Sequence, residues 1–211
     1  MSVDKIKEKF TIEYQLYKEC YRRSIFIVLI LGIFLAFAVF FTSFYFEDFI
    51  VQQSTSMAEQ MLGENKEEPT NRQKFVSILL NNLFAGGMII LCGFIPVYGL
   101  PCIYGLLSFA AVGIVAGYGI IMEHNVLQTM VIAFIPHAVI EIIPILYSVA
   151  IGMYINKNVV QKVFFSKKKS EKVSRLLTQG TKSYILIIIP LFILAALVEA
   201  FITSRLVDIY L

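Results

Sequence analysis

The sequence predicts an all-α integral membrane protein, a helical bundle with five transmembrane helices. Hydrophobic residues make up 58% of the 211 residues and charged residues 16%, proportions typical of membrane proteins. The apolar residues are concentrated in runs near or above the ~20 residues that an α-helix needs to cross the hydrocarbon core. Basic residues flank these runs in two blocks, a membrane-topology pattern that does not indicate nucleic-acid binding. We therefore expect residues 1–211 to form a single domain in the lipid bilayer.

The N-terminal segment, residues 1–23, is polar but carries apolar residues at spacings of three and four. These are Val3, Ile6, Phe10, Tyr14, Tyr17 and Tyr21. The spacing predicts an amphipathic helix that lies on the cytoplasmic membrane surface or packs under the bundle. The apolar run at 24–46 follows, and it continues into aromatic residues and then Glu47 and Asp48. A signal peptide would be shorter and end in a small-residue cleavage site, so we expect a retained first transmembrane helix.

A polar, acidic segment at 47–74 is expected to form an extracytoplasmic loop. The second and third transmembrane helices are predicted at 75–95 and 97–121. Between them lies only the Pro- and Gly-containing stretch "PVYGLP". Such a short connection predicts a tight helical hairpin.

The fourth apolar run, 126–155, is longer than a straight crossing needs and carries Pro136 and Pro144. We expect the fourth transmembrane helix to be kinked, broken or strongly tilted. Proline is favoured in the first turn of a helix, so this helix could begin again at Pro136. A basic cytoplasmic linker is predicted at 156–182, with apolar residues spaced for a surface helix, and the fifth transmembrane helix at 183–204.

The distribution of basic residues predicts the orientation. Fourteen of the eighteen Lys and Arg residues lie in 1–23 and 156–182, and the other four lie in 47–74 and at Arg205. Because cytoplasmic segments carry the excess of Lys and Arg, we expect a multi-pass plasma-membrane protein with a cytoplasmic N-terminus and an extracytoplasmic C-terminus.

Several polar residues interrupt the predicted helices at a similar depth. At about 1.5 Å per residue, Asn81, Asn82 and Glu199 lie roughly 9–11 Å from the outer surface. His137 and Glu141 are four residues apart on the fourth helix and therefore share one face. These five side chains could meet in the outer half of the bundle.

Buried carboxyl groups are costly in a bilayer, at several kcal/mol each, and the predicted helix cores contain no Lys or Arg. Glu141 and Glu199 are therefore expected to be protonated, paired with protonated His137, bound to metal or open to water. Imidazole and carboxylate suit zinc or another first-row divalent ion, so His137, Glu141 and Glu199 are candidate metal ligands. Supporting polar residues would be Asn81, Asn82 and Thr203. The alternative is that these groups only form interhelical hydrogen bonds and packing contacts.

Four segments, taken in order, resemble one known family. They are "NNL" at 81–83, the Gly-rich third helix, "IPHAVIEIIP" at 135–144 and "AALVEAFIT" at 195–203. They resemble the stage II sporulation protein M (SpoIIM) family over nearly the whole chain, with Ala138 where family members commonly have glycine. The resemblance implies five transmembrane helices. For the sporulation member it implies a membrane partner of extracytoplasmic cell-wall hydrolases, and for the broader branch it implies no established chemistry.

Three functions compete at this point. The first is a non-catalytic scaffold or assembly partner, which could form a homodimer through the GxxxG pair Gly113 and Gly117. The second is a divalent-metal-binding or proton-coupled carrier of small solutes or ions, in which a two-fold dimer could bring two His/Glu sets together. The third and weakest is an intramembrane hydrolase, because the sequence has no HExxH motif and Ser148 lies about 16 Å along the helix from His137. We expect no enzymatic activity and no cofactor beyond a divalent metal.

Overall fold

The computed structural model describes residues 3–52, 70–122, 128, 132, 135–165 and 171–210. Apart from short turns, the described residues are helical and include no strand. Five helical segments are long and apolar enough to cross a membrane. The predicted all-α fold with five membrane-spanning helices is confirmed.

The first span is one continuous helical segment. Helix α1 (Val3–Leu16) leads through a π-helical turn, Tyr17–Tyr21, into α2 (Arg22–Ser43). Together they belong to a 46-residue span, Lys7–Gln52. Glu13 and Tyr21 within it are 5% and 0% exposed. Of the two arrangements predicted for the N-terminal segment, this burial favours packing against the bundle and not a position on the membrane surface.

Helix α3 (Asn71–Cys92) begins four residues before the predicted start at residue 75. The reason is a reciprocal pair of hydrogen bonds at its N-terminus, a capping box. The backbone N–H of Thr70 donates to Gln73 Oε1 at 2.9 Å, and the backbone N–H of Gln73 donates to Thr70 Oγ1 at 3.4 Å. Helix α4 (Leu100–Ile121) follows after a short turn.

The turn between α3 and α4 is held by Asn156, a residue predicted to begin a polar linker. Its Oδ1 accepts from the Gly99 N–H at 3.0 Å, and its Nδ2 donates to the carbonyl oxygens of Ile95 at 2.8 Å and Val97 at 3.1 Å. Gly99 has φ = +87°, a conformation that glycine adopts readily. Asn156 is 0% exposed and is therefore an internal brace for the hairpin.

Helix α5 (Ile135–Phe165) continues through Pro144 and ends ten residues beyond the predicted boundary at 155. The final span comprises α6 (Val173–Ser183), α7 (Ile189–Leu197) and α8 (Ser204–Tyr210), joined by π-helical turns at Tyr184–Ile188 and Val198–Thr203. The predicted basic linker at 156–182 is helical at both ends, as its apolar spacing allows, and residues 166–170 lie outside the described residues. Of its apolar residues, Val159 and Leu176 are buried, at 9% and 1% exposure, whereas Phe164 and Leu177 are 64% and 52% exposed.

The chain divides into two compact units, and each of the five spans contributes residues to both. Unit 1 comprises Met1–Ile30, Leu83–Gly105 and Ile143–Pro190, and unit 2 comprises Leu31–Asn82, Leu106–Ile142 and Leu191–Leu211. In unit 1 the buried apolar residues include Ile89, Val149 and Ile155.

The two GxxxG glycines pack within unit 2. A Cβ added at Gly113 would collide with the backbone oxygen of Ala36, and one added at Gly117 would collide with the side chain of Ser43. Both glycines are buried, so they allow α4 to approach α2 closely. The predicted use of this pair as a homodimer surface is therefore wrong, because α2 of the same chain covers it.

Replacing Gly113 by valine should destabilise the protein by about 1–3 kcal/mol, because the added side chain must push α2 away. Ala111→Val is the matched control, since Ala111 is exposed on the same helix. Thermal unfolding in detergent, followed by circular dichroism, compares the two. Helix propensity alone would make Gly113→Val stabilising, because valine forms helix better than glycine, and Ala111→Val destabilising, because valine forms helix less well than alanine. Equal loss of stability in the two variants would therefore contradict the packing explanation.

Candidate functional site

The candidate site lies in unit 2 and is centred on Glu141 of α5. The amide of Asn82, from α3, and the carboxyl group of Glu199 both lie close enough to Glu141 to interact electrostatically with its side chain. Glu199 lies in the π-helical turn Val198–Thr203. Single π-helical turns are rare in proteins overall, and those that occur are often found at functional sites. The structure thus brings together three of the residues that depth counting placed at one level.

Two buried polar atoms, one in this group and one four residues after Glu199, have no hydrogen-bond partner in the described part of the chain. They are Nδ2 of Asn82, in a residue 7% exposed, and Oγ1 of Thr203, in a residue 6% exposed. Asn82 is close to the Glu141 carboxyl group, yet no hydrogen bond of proper distance and angle joins them. Thr203 follows Glu199 by four residues in the same π-helical turn. An unsatisfied polar group costs several kcal/mol in hydrocarbon, so these atoms favour a bound polar species.

The two carboxyl groups have no cationic partner among the residues that are described. The one ion pair found there joins Arg175 to Glu171 at 3.1 Å and is largely exposed. Glu141 and Glu199 are only partly exposed to the surroundings. Two acidic groups in this setting are costly as free anions, and a shared proton or a bound cation would remove that cost.

The remaining predicted site residues have different outcomes. Asn81 is exposed and does not join the group around Glu141, because neighbouring residues on a helix point about 100° apart. The His137 side chain lies outside the described residues, although its backbone belongs to α5. Among the described side chains, no three His, Cys, Asp or Glu residues are grouped as metal ligands would be. The ligand role of His137 stays a prediction.

A second polar group, in unit 1, was missed from the sequence. Glu13 accepts hydrogen bonds from the hydroxyls of Tyr147 at 2.9 Å and Ser183 at 2.8 Å. Glu13 is one of the polar residues of the segment 1–23, which the sequence predicts to be an amphipathic helix. A usable signal was its spacing, because Glu13, Tyr17 and Tyr21 follow one another at intervals of four and share a helix face.

Five apolar spans that bury polar residues define a polytopic α-helical membrane protein. The chain belongs to the stage II sporulation protein M (SpoIIM) family, whose model matches residues 24–204. The resemblance seen in the four sequence segments is thereby confirmed. No curated protein and no solved structure matches the chain significantly. The match contains Asn82, Glu141 and Glu199, whereas Glu13 and Tyr21 precede it.

Proposed function

We propose that this SpoIIM-family protein is a non-catalytic plasma-membrane carrier that binds a cation at Glu141 and Glu199. The observation that supports it best is the pair of carboxyl groups with the buried, unpartnered amide nitrogen of Asn82 close to Glu141, and with no ion-pair partner in the described residues. Membrane-embedded ionisable residues generally mark ion or proton pathways. The bound species would be a divalent metal ion or a proton, coupled to movement of a small solute or ion.

The donor set fits a divalent cation in charge and in chemistry. Two carboxylates supply two negative charges, and Thr203 and Asn82 add neutral oxygen atoms. His137, four residues before Glu141 on α5, would supply a nitrogen ligand that first-row divalent ions such as zinc accept. The unpartnered Nδ2 of Asn82 is a donor, so a metal-bound water or a polar solute would satisfy it.

The cation proposal is tested with the purified full chain. Elemental analysis should find about one divalent metal per site, and added Zn²⁺ should raise the thermal unfolding midpoint. The double variant His137→Ala with Glu141→Gln should lose both effects. If protons are the ligand, no metal is found, and the wild type shows a pH-dependent midpoint that the double variant lacks. A wild type with neither a metal response nor a variant-sensitive pH response would contradict the proposal.

The proposed orientation places the N-terminus in the cytoplasm and the C-terminus outside. It rests on the basic residues at both cytoplasmic segments, 1–23 and 156–182. Alkaline phosphatase folds to an active enzyme only outside the cytoplasm, so a fusion after Leu211 should be active and a fusion after Phe165 inactive. The reverse pattern would invert the proposed topology.

A second proposed function is that of a scaffold for extracytoplasmic cell-wall enzymes, as the SpoIIM resemblance implies. The supporting observation is a group of exposed aromatic residues after α2, with Tyr45 86%, Phe46 62% and Phe49 61% exposed. Exposed Glu47 and Asp48 lie among them. Aromatic residues are enriched in protein interfaces and also at the membrane surface, so the two uses must be distinguished.

Crosslinking distinguishes these uses. A photoreactive amino acid at Tyr45 should capture a cell-wall hydrolase, identified by mass spectrometry, or a second copy of this chain. The control position is Phe34, which is 73% exposed in the middle of the apolar part of α2. Adducts with lipid alone at both positions would exclude the scaffold function for this surface.

A further inference from the structure

Unit 1 contains a buried carboxyl group that is bound by hydroxyls on two sides. Oε1 of Glu13 accepts from the Tyr147 hydroxyl at 2.9 Å, and Oε2 accepts from the Ser183 hydroxyl at 2.8 Å. All three residues are at least nine-tenths buried, at 5%, 8% and 0% exposure. They come from α1, α5 and α6, so three helical segments meet at this carboxyl group.

The hydrogen-bond partners found for this carboxyl group are neutral. They are the hydroxyl groups of Tyr147 and Ser183. Both oxygens of Glu13 lie within hydrogen-bond distance of a hydroxyl group, and an ionised carboxylate would accept from both. An ionised Glu13 would place one negative charge in a low-dielectric interior, and a bound cation would offset that charge.

A fourth oxygen-bearing side chain in this group has no hydrogen-bond partner in the described part of the chain. Tyr21 is 0% exposed, and its hydroxyl, although close to Ser183 and Glu13, forms no hydrogen bond of proper distance and angle. Its ring packs edge-on against that of Tyr147, with 5.5 Å between the centroids. It ends the π-helical turn Tyr17–Tyr21, a local geometry often found at functional sites.

We propose that Glu13, Tyr21, Tyr147 and Ser183 form a binding site for a small monovalent cation of the Na⁺ class. The group offers two carboxylate oxygens and three hydroxyl oxygens, all hard donors that suit a hard cation. Its single negative charge matches one positive charge, whereas a divalent ion would leave a buried excess.

This site is separate from the one at Glu141 and Glu199, since the two belong to different units of the chain. Glu13 and Tyr21 also precede the family-matched residues 24–204. The inference does not rest on the proposed cation carrier, and the two can fail independently.

The test compares thermal unfolding of the full chain in NaCl and in choline chloride at equal ionic strength and pH. Na⁺ should raise the wild-type midpoint by roughly 5 °C, since a ligand that binds only the folded state stabilises it. Glu13→Gln should lose this response. Tyr21→Phe should also lose most of it, while the ring and its packing stay in place. Tyr14→Phe is the matched control, because Tyr14 is 64% exposed on the same helix.

Each result bears on the site directly. An identical wild-type midpoint in the two salts would overturn the inference, as would a Tyr21→Phe variant with the full Na⁺ response. Tyr21→Phe keeps the test decisive if Glu13→Gln fails to fold. The variant Glu141→Gln should keep the response, and its loss there would assign the Na⁺ effect to unit 2 instead.

Discussion

Replacing Glu199 by glutamine should weaken Zn²⁺ binding by roughly 100-fold or more. The change removes one of the two negative charges at the proposed cation site and leaves a side chain of nearly the same size. Even residues that only orient metal ligands alter affinity by 10–100-fold when they are replaced, and a direct ligand should exceed that range. Titration of the metal-free protein with Zn²⁺, followed by calorimetry, measures the effect.

Two control variants make this result specific. Glu47→Gln removes the same charge from an exposed position in unit 2 and should leave the affinity unchanged. Asn82→Ala should weaken binding by about 10-fold, because Asn82 lies beside Glu141. Asn81 is the exposed neighbour of Asn82, so Asn81→Ala is the matched control and should leave the Zn²⁺ affinity unchanged. Equal losses in Glu199→Gln and Glu47→Gln would show a general effect of charge, and the site would then be elsewhere.

Replacing Asn156 by alanine should destabilise the protein by about 2–4 kcal/mol. The substitution removes one acceptor and one donor group that together serve Gly99, Ile95 and Val97. These three bonds are part-buried, and a backbone group that loses its partner costs up to about 1–3 kcal/mol when water cannot replace it. The thermal unfolding midpoint in detergent should fall accordingly.

The matched control for this brace is Asn158→Ala on the same helix. Asn158 Nδ2 donates to the carbonyl oxygen of Tyr154, four residues earlier, at 2.9 Å, and Oδ1 accepts from the Glu171 N–H at 3.3 Å. Neither bond reaches the turn between α3 and α4, so we expect a loss below about 1 kcal/mol. If Asn158→Ala destabilises as much as Asn156→Ala, the turn is not what Asn156 stabilises.

The fold was predictable because apolar run length alone identifies a membrane-spanning helix. The ends of the helices were harder to predict, since they depend on local hydrogen bonds and side-chain contacts. Thr70 and Gln73 form a capping box within a polar loop, and the apolar spacing around Val159 continues α5 into a basic segment. In both places the local sequence pattern extended a helix that composition alone would end.

The sequence predicted how deep the polar side chains of the candidate site lie along their helices, but not which side of each helix faces the interior. Asn81 and Asn82 lie at the same level along α3, and only the positions of neighbouring helices determine that Asn82 is buried and Asn81 exposed. Glu13 was missed for a related reason. Its burial requires hydroxyls from Tyr147 and Ser183, which are 134 and 170 residues away in sequence. Contacts over such separations leave no periodic pattern around Glu13 itself.

The hydrogen bonds of Asn156 also imply an order of events during synthesis. The turn after α3 emerges from the ribosome 57 residues before the amide that pairs with Gly99. At a translation rate of about 5–20 residues per second, Asn156 is synthesised roughly 3–11 s after the turn. During this interval water must satisfy its N–H and carbonyl groups, so the hairpin must keep its turn at the membrane surface. Arrival of α5 then displaces that water, and the hairpin becomes fixed only when the fourth span has inserted.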